Sequence, residues 1–342
     1  MRPDPLYSPH WTIVETLPQD GGLRRYTRIE KNSLNALYME CGDPSLAGAS
    51  DVRDFVRIGE WLRDIGVRTP QIYELFEEAN AAIIEDFGAV SVKQAIVKSG
   101  GAAAMGYYKG AAEILKLMQN VPISELPQGL PHFEQSFMRK ARQRFIDWYV
   151  PVLRQRANDS ALVEEYHALW DGIEQRIGAA EEGFMHVDFH VENMMVLGGQ
   201  SSGHPSVIGV DSIGVIDFQE GMIGPKAYDW SNLLEDMRAD VPPDIRAALL
   251  DGQSREFLAR YRVLGTQFHC RLLGQIMRWA LAENKTQYMQ YYPRLVGYVE
   301  AALADPVLAE FKAFLERERI AICDLSKMNW AESRKFIAQN AI

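Results

Sequence analysis

The chain has 342 residues, 47% of them hydrophobic and 24% charged, a balance that excludes disorder, and at roughly 150 residues per domain it has room for about two lobes. Lys and Arg number 36 against 46 Asp and Glu, a net charge of −10 with no cationic block to track a phosphate backbone, so nucleic acid is not an expected partner. No apolar run approaches the roughly 18 residues that cross a bilayer, Met1-Arg2-Pro3-Asp4-Pro5 leads into no apolar signal, and Cys41, Cys270 and Cys323 are too few and too scattered for a disulfide framework or a cysteine zinc site. The expectation is a cytoplasmic protein with reduced thiols and no membrane partner.

Residues Trp11–Leu17, Arg25–Glu30 and Asn35–Glu40 alternate apolar with polar and predict strands, with Asp20-Gly21-Gly22 as the turn between the first two. From Asp51 to Ile65 the period changes: Val52, Phe55, Val56, Gly59 and Leu62 mark one face of a helix. Ile72–Phe76 and Ala81–Asp86 predict two more strands, which makes a small antiparallel sheet with one helix on it. After the break at Phe87-Gly88 the sequence becomes helical, over Ala102–Gln119 and Phe133–Leu153, and again in Ile245–Leu264, Phe268–Ala282, Tyr291–Leu303 and Ala309–Arg319. One exception interrupts the helices: Asn193–Leu197 and Ile213–Phe218 predict a hairpin with a long Gly- and Ser-rich tip. The fold class is α+β, with a β-rich lobe over residues 1–87 and a mainly helical lobe over 88–342.

The chemistry is concentrated around that hairpin. His186-Val187-Asp188-Phe189-His190-Val191-Glu192-Asn193 precedes it, and its second strand runs into Asp217-Phe218-Gln219. Phosphoryl transfer needs a carboxylate near the acceptor hydroxyl and oxygen donors for the Mg2+ that bridges the nucleotide phosphates. Asp188, Asn193 and Asp217 supply that inventory, and hard cations prefer such oxygens. Phe145–Tyr149 and Tyr288–Tyr292 contain aromatics that would stack on a ligand ring, although such stripes more often build a core.

An H-x-D-x-x-x-x-N loop followed by an apolar strand ending in Asp-Phe, behind a small β lobe, resembles the aminoglycoside phosphotransferases of the protein-kinase-like fold. Five segments narrow the resemblance: Gly22–Arg28, Phe145–Tyr149, Gly214–Glu220, Gly224–Asp229 and Leu233–Asp236 are similar to the N-acetylmuramate/N-acetylglucosamine anomeric kinases of cell-wall recycling. The resemblance implies an ATP- and Mg2+-dependent, bilobal small-molecule kinase. Asp188 would be the base, Asn193 and Asp217 the metal ligands, and His186 and Asp229 supports of the catalytic loop. Gly21 and Gly22 would cover the phosphates, and Glu85 and Phe87 would meet adenine through backbone atoms.

Two departures from the pattern stand out. The third strand, Leu37-Tyr38-Met39-Glu40, has no phosphate-gripping lysine, and Arg24 or Arg25 could supply the missing cation. Val187 stands where related loops often carry Arg. Three rivals follow: another small-molecule phosphotransferase, such as one acting on aminoglycosides; a nucleotide-binding pseudokinase scaffold, suggested by the missing lysine; and a zinc hydrolase built on His186, Asp188 and His190, for which the remaining histidines offer no further ligand pair. For the lactyl carboxylate of N-acetylmuramate, Arg144, Lys226 and Arg271 are candidate cations.

Overall fold

A computed structural model describes residues 11–19, 23–43, 45–46, 50–198, 208–326 and 330–337. It divides into two compact units, one of residues 1–131 with 183–223, the other of residues 132–182 with 224–342.

The first unit is built on a five-stranded antiparallel sheet of order β1-β2-β3-β5-β4, formed by β1 (Thr12–Thr16), β2 (Arg25–Lys31), β3 (Leu34–Glu40), β4 (Ile72–Phe76) and β5 (Ala81–Glu85). Asn32 and Ser33, at φ 51° and 64°, form the two-residue left-handed turn that matches strand twist and register Lys31 against Leu34. Ile29, Ala36, Tyr38, Ala81 and Ile83 bury one face. Helix α1 (Val52–Asp64) starts where the Asp51 side chain accepts from the Arg53 N–H, and it buries the apolar stripe read from the sequence, Val52, Phe55, Ile58, Gly59 and Leu62. Helices α2 (Val92–Lys98), opened by a Ser91–Gln94 capping box, and α3 (Ala104–Gln119) complete the scaffold.

Strand β6 (Glu182–Met185) leads into the catalytic-loop sequence, and β7 (Met194–Val196) and β8 (Ile213–Val215) form the expected hairpin, with Met194 opposite Val215. Its tip, residues 199–207, lies outside the described residues. Strand β9 (Met222–Pro225) follows.

The second unit is helical: α4 (Gln135–Arg144), a π-helical turn at Phe145–Tyr149, α5 (Val150–Arg154), α6 (Ser160–Arg176), α7 (Ala227–Leu234), α8 (Pro243–Leu250), α9 (Arg255–Ala282), α10 (Tyr292–Ala302) and α11 (Ala309–Arg317). Phe145, Ile146, Trp148 and Tyr149 are core residues of this unit, packed with Tyr166, Trp170 and Phe311. That segment is therefore not a sugar platform. Gly274 allows the closest approach: a Cβ there would lie 1.9 Å from the Arg144 carbonyl oxygen, so only glycine lets α4 rest on α9.

Candidate active site

The hairpin presents the site residues at its open end. Main-chain pairing places Asn193 beside Ile216, whose N–H donates to the Asn193 carbonyl at 3.0 Å, so Asp217 follows directly, just past the end of β8. His186 is fully buried and its Nε2–H donates to the Ile216 carbonyl at 3.0 Å, tying the start of the loop to the residue before Asp217. Burial lowers the His186 pKa, against the pull of Asp217 and Asp188, so the ring is held neutral.

Two residues with side chains adopt left-handed backbone here, Val187 at φ 76° and Asp217 at φ 66°. A β-branched residue in that region is strained, and such strain concentrates at functional sites. The position where an Arg was the family expectation is thus a backbone corner. Phe218 anchors the Asp217 corner: its ring stacks on Phe55 of α1 at 4.8 Å, and a Cβ on Gly59 would meet it at 2.9 Å.

The Asp188 carboxylate is oriented from one side. The Glu192 N–H donates to His190 Nδ1 at 3.3 Å, which leaves His190 Nε2 protonated to donate to Asp188 Oδ2 at 3.2 Å. Asn193 Nδ2 donates to the same Oδ2 at 3.2 Å and to the Asp188 carbonyl at 2.9 Å. The Asn193 amide nitrogen is thereby committed to the loop, and its Oδ1 accepts no hydrogen bond among the described residues. His190 as an orienter of Asp188 was not legible in the sequence, because alternate spacing also fits a packed histidine.

Asp217 lies against one cation and one amide. Its Oδ1 is ion-paired with the Arg24 guanidinium and accepts from Gln219 Nε2 at 3.1 Å, while Arg24 Nη1 donates to Gln219 Oε1 at 2.9 Å. Burial raises its pKa, yet Arg24, Gln219 and His186 outweigh this and hold it below the ordinary carboxylate range. A charged Asp217 and an unshared Asn193 Oδ1 are hard-oxygen donors suited to Mg2+, which takes the rest of its shell from water and phosphate.

Of the two candidate cations, Arg24 is at the site and Arg25 is exposed on β2. Glu85 ends β5, its N–H donating to the Gln71 carbonyl at 2.8 Å and its carboxylate accepting from Arg68 at 2.8 Å. The Phe87 ring packs against Gly214 of β8, where a Cβ would meet it at 2.4 Å. Asp86, which separates them, accepts from Arg28 of β2 at 2.6 Å. Asp229 is fully buried on α7 of the second unit, and Gly21 and Gly22 lie outside the described residues. Among the described residues no group of three or more His, Cys, Asp or Glu is arranged to hold a metal ion. His186 and His190 serve a carbonyl and Asp188 instead, so the zinc reading has no ligand set.

Residues 42–264 match the family profile described as the phosphotransferase enzyme family. The N-acetylmuramate/N-acetylglucosamine kinase of Caulobacter vibrioides is 27% identical over 340 aligned residues, covering 89% of this chain and 91% of its own length. The kinase of the same name from Pseudomonas aeruginosa is 25% identical, covering 88% of each chain. Among solved structures, a choline/ethanolamine kinase family protein from Mesorhizobium loti aligns with a TM-score of 0.56 over 90% of this chain and 93% of its own, at 12% identity. A microcompartment-associated aminopropanol kinase aligns with a TM-score of 0.58 over 92% and 95%, at 13% identity. These likenesses carry the kinase-like α+β fold. With more than half of its length matched by the profile, the chain belongs to the phosphotransferase enzyme family.

Proposed function

We propose that the protein is an ATP- and Mg2+-dependent cytoplasmic kinase that phosphorylates the anomeric hydroxyl of N-acetylmuramate and N-acetylglucosamine. In this reading residues 1–87 hold the nucleotide, and residues 88–342 carry the catalytic loop, the metal donors and the acceptor site. The observation that carries the reading is the Asp188 carboxylate, pinned through one oxygen by His190 and Asn193 and followed, two residues past the end of β8, by a charged Asp217. The choice of acceptor rests on the relatives of that name, which align along nearly nine-tenths of this chain.

Asp188 takes the proton of the acceptor hydroxyl as the acceptor oxygen bonds to the γ-phosphorus, and the bond from that phosphorus to the bridging oxygen of ADP breaks. His190 and Asn193 are positioning residues: by holding Oδ2 they fix the carboxylate in one rotamer. Asn193 Oδ1 and Asp217 would hold Mg2+, which when bound would supply positive charge against the negative charge gathering on the leaving ADP. Arg24 is the replacement for the missing strand lysine. It is paired with Asp217, and its guanidinium would offer the phosphates a bidentate donor.

His186 braces Ile216 against the loop. Adenine is met by the backbone of Phe87 and the Glu85 carbonyl, since the Glu85 N–H already donates to Gln71.

The test is ADP release with Mg2+-ATP across N-acetylmuramate, N-acetylglucosamine, unacetylated sugars, aminoglycosides and choline, with 31P NMR of the product. Sugar-dependent release with an anomeric phosphate resonance is expected. Faster turnover of an aminoglycoside or choline would overturn the acceptor, and release indifferent to every acceptor would overturn the kinase reading itself.

A further inference from the structure

The row of side chains on β2 that ends at Arg24 has a second arginine, Arg28, with no part in the chemistry above. Arg24, Tyr26 and Arg28 alternate and are half-buried, while Thr27 and Ile29, on the other face, are buried. Arg24 is paired with Asp217 at one end of the row. Four residues on, roughly 13 Å at about 3.3 Å per residue, Arg28 Nε donates to Asp86 Oδ2 at 2.6 Å and its Nη1 to Glu15 at 2.9 Å. The Asp86 side chain is only 4% exposed, and its Oδ1 accepts from the N–H of Gly88, at φ 87°, at 2.8 Å. The neighbours of Asp86 are held as well. Glu85 accepts from Arg68 at 2.8 Å, and the Phe87 ring lies under the Arg68 guanidinium at 5.4 Å and against Gly214. In the middle of this fixed turn the Phe87 N–H donates to no group among the described residues.

A backbone N–H left over in a turn that cannot adjust is a donor offered to a ligand. Adenine meets such a donor with an acceptor, its N1. Guanine carries N1–H at that position, so donor would face donor, a penalty unless the Asp86–Phe87 peptide turns over to present its carbonyl. We infer that the Arg28–Asp86 pair is a positioning clamp: by pinning the Asp86 carboxylate against the Gly88 N–H it holds that peptide in one orientation and selects adenine over guanine nucleotides. Neither side chain needs to touch the base, because both act through the turn. A carboxylate drawn this far from water is kept there by its two donors, so losing Arg28 releases it. This inference rests on the reading of residues 1–87 as the nucleotide lobe.

The experiment is calorimetric titration of the full chain with Mg2+-ATP, Mg2+-GTP and Mg2+-tripolyphosphate, the last carrying phosphates without a base. It compares the wild type with Arg28→Gln, Asp86→Asn and Arg28→Lys. The wild type should bind ATP more tightly than GTP. Loss of one charge-assisted bond of the clamp should move the ratio of ATP to GTP affinity about 10-fold toward GTP, in Arg28→Gln and Asp86→Asn alike, with partial recovery in Arg28→Lys. Tripolyphosphate affinity should stay as it is, because Arg24, Asn193 and Asp217 are untouched. An unchanged ratio, or tripolyphosphate weakened in step with ATP, would overturn the clamp and leave the kinase reading standing. A wild-type chain that binds none of the three would overturn the nucleotide reading and the clamp with it. Should one variant fail to fold, the other decides, since the two remove opposite halves of the same pair.

Discussion

Asp217 and Glu235 are both carboxylates drawn into the protein by arginine, one in each unit. Glu235 is sealed: its side chain is 3% exposed, Arg262 and Arg246 lie at 3.4 and 3.9 Å, His269 Nδ1 lies at 3.7 Å, and the His269 Nε2–H donates to its carbonyl. Asp217 is 32% exposed, has a single arginine, and sits on a strained left-handed residue. A carboxylate enclosed by cations in a relaxed helix end is architecture. One held by a single arginine, half-exposed and at a strained corner, has the features that gather at functional sites.

The comparison is broken most directly at Asp217. Asp217→Asn should weaken Mg2+-dependent ATP binding by more than about 100-fold, since a hard cation loses its charged donor, while barely moving the melting temperature; calorimetric titration with and without Mg2+ would show it. Glu235→Gln should do the reverse. Removing one partner of a sealed cluster costs about 3 kcal/mol or more, read as a fall of several degrees in Tm, with kcat unchanged. Arg24→Gln sharpens the contrast because its two effects have opposite signs: ATP binding should weaken about 10-fold, whereas Mn2+ binding without nucleotide, followed by electron paramagnetic resonance, should tighten as Asp217 loses its competitor.

The smallest effect concerns pH. Burial, then Arg142 and Arg139, bring the His167 pKa down to about 4, while an unfolded His titrates near about 6.5. As pH falls below that value the unfolded chain takes up the proton first, so stability is full above it and declines toward pH 4. His167→Gln should flatten that acid limb in denaturant titrations, and an unchanged slope would mean that another group sets it.

The local parts of this molecule were legible in its sequence. Strand alternation and the stripe on α1 depend on neighbours within a few residues, and the strands of the five-stranded sheet fall within one residue of expectation, whereas β8 stops at Val215, three residues short of the expected Phe218. The break between α8 and α9 was not legible: Ile245–Leu264 reads as one periodic run, but Gly252 at φ 76° ends the first helix, and Ser254 caps a second that continues unbroken through Phe268–Ala282. Helix α6, which begins at the Asp159 cap, was also not singled out. At the site, Asp188 and Asn193 announce themselves because they share one short loop. Arg24 could be told from Arg25 only by a partner 193 residues away.

The measurement that bears most directly on the central claim is a paired assay of Asp188→Asn. The substitution keeps the shape and removes the charge that accepts the proton. Mg2+-ATP should stabilise the variant against heat as it does the wild type, because the phosphate and metal groups are untouched, while kcat for N-acetylglucosamine falls by about 10²- to 10⁴-fold. Retained binding with kcat unchanged would contradict the assignment of Asp188 as the group that takes the acceptor's proton.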